Sequence, residues 1–260
     1  MGRLLAHTWH GPESATPIVI IHGLFGHQRN WNSVVADLSK QYWVLTVDCR
    51  NHGQSFHDPE HTIDVLAEDL ILLLKHLNVK SSILVGHSMG GLCAMAACLV
   101  EPSLFTGLVA VDIAPRAYYV NYESEFKALS MPLQQFKSRK EIDAEMEKII
   151  GDKNLRAFLQ TNIVGSPGEY RWQLNVAGLE NSTERAVFPK KLDGMTSTLP
   201  ALLLAGGRSN FIVENDGQTF LNVFLQGEVK VIPHGDHWLH YSAQKDFLDI
   251  LNAYCSDLLC

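Results

Sequence analysis

The run Gly86-His87-Ser88-Met89-Gly90-Gly91 lies between an apolar stretch, Ser81 to Val85, and an apolar helix-like segment, Leu92 to Val100. A Gly-x-Ser-x-Gly run at a strand-to-helix junction forces the serine onto a tight turn, where glycines on either side remove the clashes that side chains would cause. The hydroxyl is left exposed at the carboxyl end of the strand. A serine between glycines also serves as a plain turn. Context separates the two readings: a strand before, a helix after, a His-Gly loop upstream and histidines near the end of the chain.

Further apolar segments of strand length fall at Leu4 to Trp9, Ile18 to Ile21, Trp43 to Val47, Leu108 to Val111, Ala201 to Leu204 and Val229 to Ile232. Most are continuous rather than alternating, the pattern of strands covered on both faces. Helical segments at Trp31 to Leu38, Ile63 to Leu77, Leu92 to Val100, Asp216 to Phe224 and Ala243 to Cys255 fall between them. The alternation predicts an α/β fold with a mostly parallel central sheet flanked by helices. It breaks between Pro115 and Leu199, where Glu141 to Ile150 and Leu155 to Leu159 look helical and no convincing strand appears. Residues 115–199 are therefore expected to form a helical cap, inserted after the strand ending near Asp112 into a single domain of residues 1–260. Such a cap would cover the sheet's carboxyl edge, where open α/β sheets bind ligands.

The net charge of -7 opposes a nucleic-acid partner, because phosphate binding depends on clustered Lys and Arg. The dense basic stretch, Lys137 to Lys140, reads as a solvated helix end. Cys49, Cys93, Cys98, Cys255 and Cys260 lack C-x-x-C spacing, as expected of reduced thiols inside a cell. No apolar stretch reaches the roughly 18 residues of a membrane span, and the opening Met1-Gly2-Arg3-Leu4-Leu5 lacks the apolar region of a signal peptide. A soluble, unsecreted, intracellular protein is expected, cytoplasmic or organellar. A mitochondrial location would go with a presequence absent from this numbering.

A serine hydroxyl needs a positioned base, and histidine is the usual one because it ordinarily titrates near neutrality. The segment Pro233-His234-Gly235-Asp236-His237-Trp238-Leu239-His240 follows the last predicted strand and brings three histidines to the edge that carries Ser88. His237 is the preferred base. His234 precedes the glycine turn, and His240 should already enter the last helix. The same spacing, with His52, His57 and His61, raises a metal site, but no carboxylate or cysteine set completes a tetrahedral site and no metal or organic cofactor is expected. Ile21-His22-Gly23-Leu24-Phe25-Gly26 leaves a strand and turns, so Leu24, or as second choice Phe25, can aim a backbone N–H at an oxyanion near Ser88 beside that of Met89.

The carboxylate that orients the histidine is harder to place. The loop after the penultimate predicted strand, Ala205-Gly206-Gly207-Arg208-Ser209-Asn210, has no acid, and Glu214 and Asp216 read as the start of the next helix. Asp112 ends a strand expected beside the nucleophile strand and is preferred, with a turn-capping role before Pro115 as the alternative. The loop Asp48-Cys49-Arg50-Asn51-His52-Gly53-Gln54-Ser55 reads as structural, with Asp48 and Arg50 pairing or bonding loop backbone.

With these residues in place the chain resembles the α/β-hydrolase superfamily along its length. The nearer likeness is to the bacterial YbfF-type esterases and the eukaryotic α/β-hydrolase domain-containing protein eleven group. The specific runs are Val111-Asp112-Ile113-Ala114-Pro115 and His237-Trp238-Leu239-His240; His22 to Gly26, Asp48 to Ser55 and Gly86 to Gly91 are widespread. The resemblance implies hydrolysis of short or medium acyl esters or thioesters, with Ser88 as nucleophile, His237 as base, Asp112 as acid and Ser209 as an auxiliary residue where many relatives keep their acid. Gly235-Asp236-His237 and the Arg208 and Asn210 neighbours of Ser209 depart from the usual pattern. Two other functions stand beside the ester hydrolase: a carbon–carbon bond hydrolase or lyase on the same fold, and a small-molecule receptor with a retained triad.

Overall fold

The structure, a computed structural model, describes residues 3–14 and 16–259. Met1, Gly2 and Cys260 of the segments discussed above lie outside the described residues. Seven strands form one sheet: β1 (His7–His10), β2 (Ile18–Ile21), β3 (Val44–Val47), β4 (Ser82–His87), β5 (Phe105–Val111), β8 (Ser197–Gly206) and β9 (Phe224–Ile232), in the order β1-β3-β2-β4-β5-β8-β9. Only β1 runs antiparallel to its neighbour.

Alternate residues of the inner strands enter two separate apolar cores. Val19 and Ile21 of β2, Leu84 of β4, and Leu108 and Ala110 of β5 face one core, while Ile18 and Ile20, Ile83 and Val85, and Val109 and Val111 face the other. The first core is covered by α2 (Ile63–His76), α3 (Met89–Val100) and α8 (Asp216–Val223), and the second by α1 (Asn32–Leu38) and α10 (Gln244–Leu259). Burial on both faces explains the continuous apolar runs, each buried Ile, Leu or Val contributing about 1.5–3 kcal/mol.

The edges depart from the sequence reading. β1 begins at His7 rather than Leu4, and β9 begins at Phe224, through the polar Gln226 and Glu228 of an edge strand mostly open to solvent. Between β5 and β8 the chain leaves the sheet and forms α4 (Glu123–Leu129), α5 (Arg139–Glu147), α6 (Lys153–Gln160) and α7 (Val176–Asn181). Here it also makes an antiparallel pair, β6 (Ile163–Val164) with β7 (Arg171–Trp172), where no strand was expected. Two residues per strand are too few to show a periodicity. The basic run Lys137 to Lys140 opens α5, with Ser138 accepting the Glu141 N–H (3.2 Å). Arg139 is not simply solvated: it donates to the carbonyls of Gln160 (3.0 Å) and Ile163 (2.7 Å).

Sequence order reverses between β2 and β4, because the chain passes from β3 across β2 to β4. The loops after β2 and β4 therefore diverge and open a crevice at the carboxyl edge. No helix among the described residues is long and apolar enough to cross a membrane. Cys49, Cys93, Cys98 and Cys255 are buried and unpaired.

Candidate active site

Ser88 stands between β4 and α3 with φ 53° and ψ −122°, a left-handed conformation forced by the turn, and is 8% exposed. The glycines around it permit the close approach. A Cβ on Gly86 would run into the Gly90 carbonyl, and one on Gly90 would lie 2.5 Å from the carbonyl oxygens of Ile21 and His22. The helix start is thus pressed onto the end of β2, where no side chain fits.

Asp112 follows β5, the neighbour of β4, also at positive φ (53°) and fully buried. Its N–H donates to the Leu204 carbonyl of β8 (2.9 Å), and its carboxylate accepts three hydrogen bonds. Gly206 N–H donates to Oδ1 (2.8 Å), while the Ser209 hydroxyl and His237 Nδ1–H (2.7 Å) both donate to Oδ2. A carboxylate can only accept, so His237 holds its proton on Nδ1 and leaves Nε2 as an acceptor. The Ser209 hydroxyl in turn accepts the Phe211 N–H (3.1 Å).

The His237 ring stacks on Phe211 at 3.6 Å between centroids and keeps 14% of its side chain exposed. Its backbone carbonyl accepts a hydrogen bond from Nε2–H of His87 (2.8 Å), the residue just before Ser88. Burial, followed by the neighbouring His237 and His240 rings, holds His87 well below the ordinary histidine pKa, so it stays a neutral donor. His87 was not singled out from the sequence, although its place inside the elbow was a signal.

Of the other two terminal histidines, His234 is exposed beside Asp246 (3.5 Å), and His240 is buried in α9 (Leu239–Ser242), stacked on Trp31 at 4.2 Å. Asp236 accepts the Trp238 N–H (2.7 Å) and shapes the turn into α9. Asp216 pairs with Arg116 (2.8 Å), and Glu214 is exposed.

After β2, Gly26 N–H closes a turn onto the Gly23 carbonyl (3.0 Å). Phe25 cannot serve as the oxyanion donor considered from the sequence, because its N–H is already given to Nε2 of the buried His52 (3.2 Å). Among the described residues the Leu24 N–H has no such partner. Met89, the first residue of α3, has an N–H with no acceptor inside the helix.

His22 donates from Nδ1 to the Gly23 carbonyl (2.8 Å) and accepts the Cys49 N–H at Nε2 (3.0 Å). Asp48 bonds loop groups, the N–H groups of Gln28 (2.7 Å) and Gln54 (2.9 Å), while Arg50 pairs with Asp69 (2.5 and 2.8 Å) rather than with Asp48. Among the described residues no three His, Cys, Asp or Glu side chains converge as a metal site.

Ser88, His237 and Ser209 open onto one cavity of ≈330 Å³, walled by Leu24, Phe25, Tyr122, Leu155, Phe158 and Trp238. Of the larger apolar side chains between Pro115 and Trp172, Tyr122 lines it with Leu155 and Phe158. Tyr118 and Phe126 are buried in the packing, Met131, Phe136 and Trp172 pack against the core, and Tyr119 is 83% exposed.

Residues 16–244 match the family described as alpha/beta hydrolase fold. The chain belongs to the α/β-hydrolase fold family. It is 33% identical to the sn-1-specific diacylglycerol lipase ABHD11 of Danio rerio over 97% of this chain and 82% of that protein. It is 30% identical to Esterase YbfF of Escherichia coli, over 98% of this chain and 99% of the relative. Among solved structures it superposes on a marine microorganism esterase with TM-score 0.92 and 32% identity, covering 97% of this chain and all of the other. The chain is a hydrolase of the esterase and lipase type.

Proposed function

We propose that the protein is a serine carboxylester hydrolase for short to medium acyl esters or thioesters. The observation that carries this reading is the fully buried Asp112 holding the Nδ1–H of His237 at 2.7 Å, in the cavity onto which the left-handed Ser88 opens. In this reading His237 Nε2 takes the hydroxyl proton as Ser88 Oγ bonds to the acyl carbon, and the carbonyl oxygen becomes an oxyanion. The N–H groups of Leu24 and Met89 receive that oxyanion, each donor typically being worth about 2.7–4 kcal/mol in the transition state. The bond to the leaving alcohol or thiol then breaks, with the proton passing from His237 to the departing group. Water repeats the sequence on the acyl-enzyme and frees the acid and the serine.

Asp112 fixes the tautomer and stabilises the imidazolium. Ser209 acts as an auxiliary residue through its hydrogen bond to the same carboxylate oxygen. The sequence requires no metal or cofactor. Residues 115–199 serve as a cap within a single domain, contributing Tyr122, Leu155 and Phe158 to the apolar wall. A cavity of ≈330 Å³ stands at the small end of the roughly 300–1,000 Å³ of small-molecule sites, which favours short to medium acyl chains.

The test is multiple turnover of p-nitrophenyl esters of graded chain length, with fluorophosphonate labelling of the parent and of Ser88→Ala. Ser88→Ala should remain folded, lose its labelling and lose turnover. Persistent labelling would identify another nucleophile. Ligand-dependent stabilisation without turnover would favour a receptor, and cleavage of a β-diketone in preference to esters would favour a carbon–carbon hydrolase.

A further inference from the structure

Phe25 occupies the left-handed region (φ 62°), a conformation that an aromatic residue keeps only where its surroundings hold it. Those surroundings come from two parts of the chain. Its N–H donates to His52 Nε2 (3.2 Å), and the His52 tautomer is set by Nδ1–H donating to the Arg50 carbonyl (2.9 Å). Burial, with the rings of His22 and His61, keeps His52 well below the ordinary histidine pKa, so Nε2 stays an acceptor.

On its other side the Phe25 carbonyl accepts from Asn162 Nδ2 (2.7 Å), a fully buried side chain just beyond α6 in the 115–199 segment. The ring is held edge-on by Tyr122 (5.5 Å) and Phe126 (5.3 Å), also from that segment. The His52 loop is tied to the segment as well: Asn175 N–H donates to the Asn51 carbonyl (3.0 Å) and Asn175 Nδ2 to Asn51 Oδ1 (2.8 Å).

We infer that Phe25 is the joint through which the seating of the 115–199 segment sets the oxyanion turn, with His52 and Asn162 as positioning residues for the reaction. Neither side chain contacts the reacting atoms. Together they clamp the peptide groups on either side of Phe25, and so fix where the adjoining Leu24 N–H points. The inference rests on the reading of the Gly23–Gly26 turn as the oxyanion turn. It also gives a role to the Asp48 to Ser55 loop beyond simple structure, since His52 is that loop's contact with Phe25.

The experiment compares kcat, KM and Tm of the full chain with those of His52→Leu, His52→Gln and Asn162→Ala on one p-nitrophenyl ester, with Ser88→Ala alongside. A donor removed outright costs about 10²–10³ in kcat; a donor misaimed should cost His52→Leu about thirtyfold and Asn162→Ala about tenfold, with KM within about twofold. Gln presents an acceptor oxygen near the position of Nε2, so His52→Gln should return to within about threefold of the parent kcat. Unchanged kcat in His52→Leu, or equal loss in His52→Gln and His52→Leu at a Tm within about 3 °C of the parent, overturns the inference. If His52→Leu does not fold, Asn162→Ala decides alone: unchanged kcat overturns the coupling, and a kcat loss at constant KM supports it. Ser88→Ala separates the two readings. Turnover surviving there removes the serine mechanism, whereas a dead Ser88→Ala beside fully active His52 and Asn162 variants removes only the coupling.

Discussion

On the β5–β8 side of the crevice, His237 stays partly exposed and hands its Nδ1–H to a fully buried carboxylate; on the β2–β3 side, His22, His52 and His61 are buried with no carboxylate in hydrogen-bond reach. An imidazole that must gain and lose a proton needs an anion to stabilise its charged form and access to the group it serves. An imidazole that must act as a fixed donor and acceptor needs to remain neutral. Burial without a counter-ion achieves that: desolvation, then the charge of Arg50, lowers His61 to about 3, and desolvation lowers His22 and His52 as well. In the proposed mechanism one residue type thus fills a working role on one side and a supporting role on the other.

The largest test of this contrast removes the charge from the working side. Asp112→Asn keeps the shape but offers an amide where a carboxylate accepted three hydrogen bonds, and it can favour the wrong His237 tautomer. Ester turnover should fall by roughly 10³–10⁴. The comparison fails if steady-state kcat of the folded variant stays within an order of magnitude of the parent.

The buried, neutral histidines should announce themselves in stability at mild acidity. In the unfolded chain these imidazoles take up a proton near 6.5, whereas in the folded protein His27 holds off to about 4 and His61 and His240 to about 3, desolvation being the first cause for each. Between those values the unfolded state binds more protons. Stability is therefore full above about pH 6.5 and falls as the pH drops, by about 1.4 kcal/mol per unit for each such histidine. From pH 7.5 to 5.5 the three together should remove on the order of 4 kcal/mol, readable by urea unfolding at a series of pH values. A flat profile over that interval would show that these rings are solvated and not fixed neutral elements.

How much of this was legible in the sequence follows the same division. The inner strands and the elbow were readable because their causes are local. Ile18–Ile21 is apolar at every position because both faces are covered, and Gly86, Gly90 and Gly91 stand where any side chain would strike backbone or Ile113. Asp112 is preferred from the sequence because the loop after the penultimate strand lacks an acid and because it ends a strand expected beside the nucleophile strand; its positive φ and its hydrogen bonds with Gly206 and Ser209, more than 90 residues away in the chain, are beyond the reach of propensity reasoning. The edge strands were misjudged at their ends because half-exposed strands admit polar residues, as in Gln226 and Glu228. His52 lies in the Asp48 to Ser55 loop and His87 in the elbow, but neither pattern, nor anything around His61, points to the group each one bonds. Their partners Phe25, Met89 and the His237 carbonyl lie 27, 28 and 150 positions away.

Ser209→Ala sharpens the working side further. It removes one of the two donors to Asp112 Oδ2 and the acceptor of the Phe211 N–H, while His237 and Gly206 still hold the carboxylate. A hydrogen bond to a charged group contributes about 1.5–3 kcal/mol, so kcat should drop between about tenfold and a hundredfold, well short of the loss in Asp112→Asn. An effect as large as that of Asp112→Asn would make the serine an equal partner of the acid.

The smallest effect is expected where a carboxylate lies close in sequence to the usual position of the acid but outside the working pair. Asp216 is buried, but it accepts from Arg116 Nε (2.8 Å) and from Val213 N–H (2.9 Å), and Arg116 also donates to the Phe211 carbonyl (3.0 Å). Its route to His237 runs through Arg116 and the stacked Phe211 ring, with no direct hydrogen bond. Asp216→Asn weakens an ion pair whose arginine is one-third exposed, and Arg116 keeps its bond to the Phe211 carbonyl and its place over the Tyr118 ring (3.7 Å). Turnover should therefore stay within about twofold and Tm should fall by about 2–4 °C, the equivalent of about 1 kcal/mol in a chain of this size. Glu214→Gln, at an exposed position, should change neither. Collapse of turnover in Asp216→Asn together with near-normal turnover in Asp112→Asn would move the acid to the loop after β8, and the pairing of His237 with Asp112 would lose its catalytic meaning.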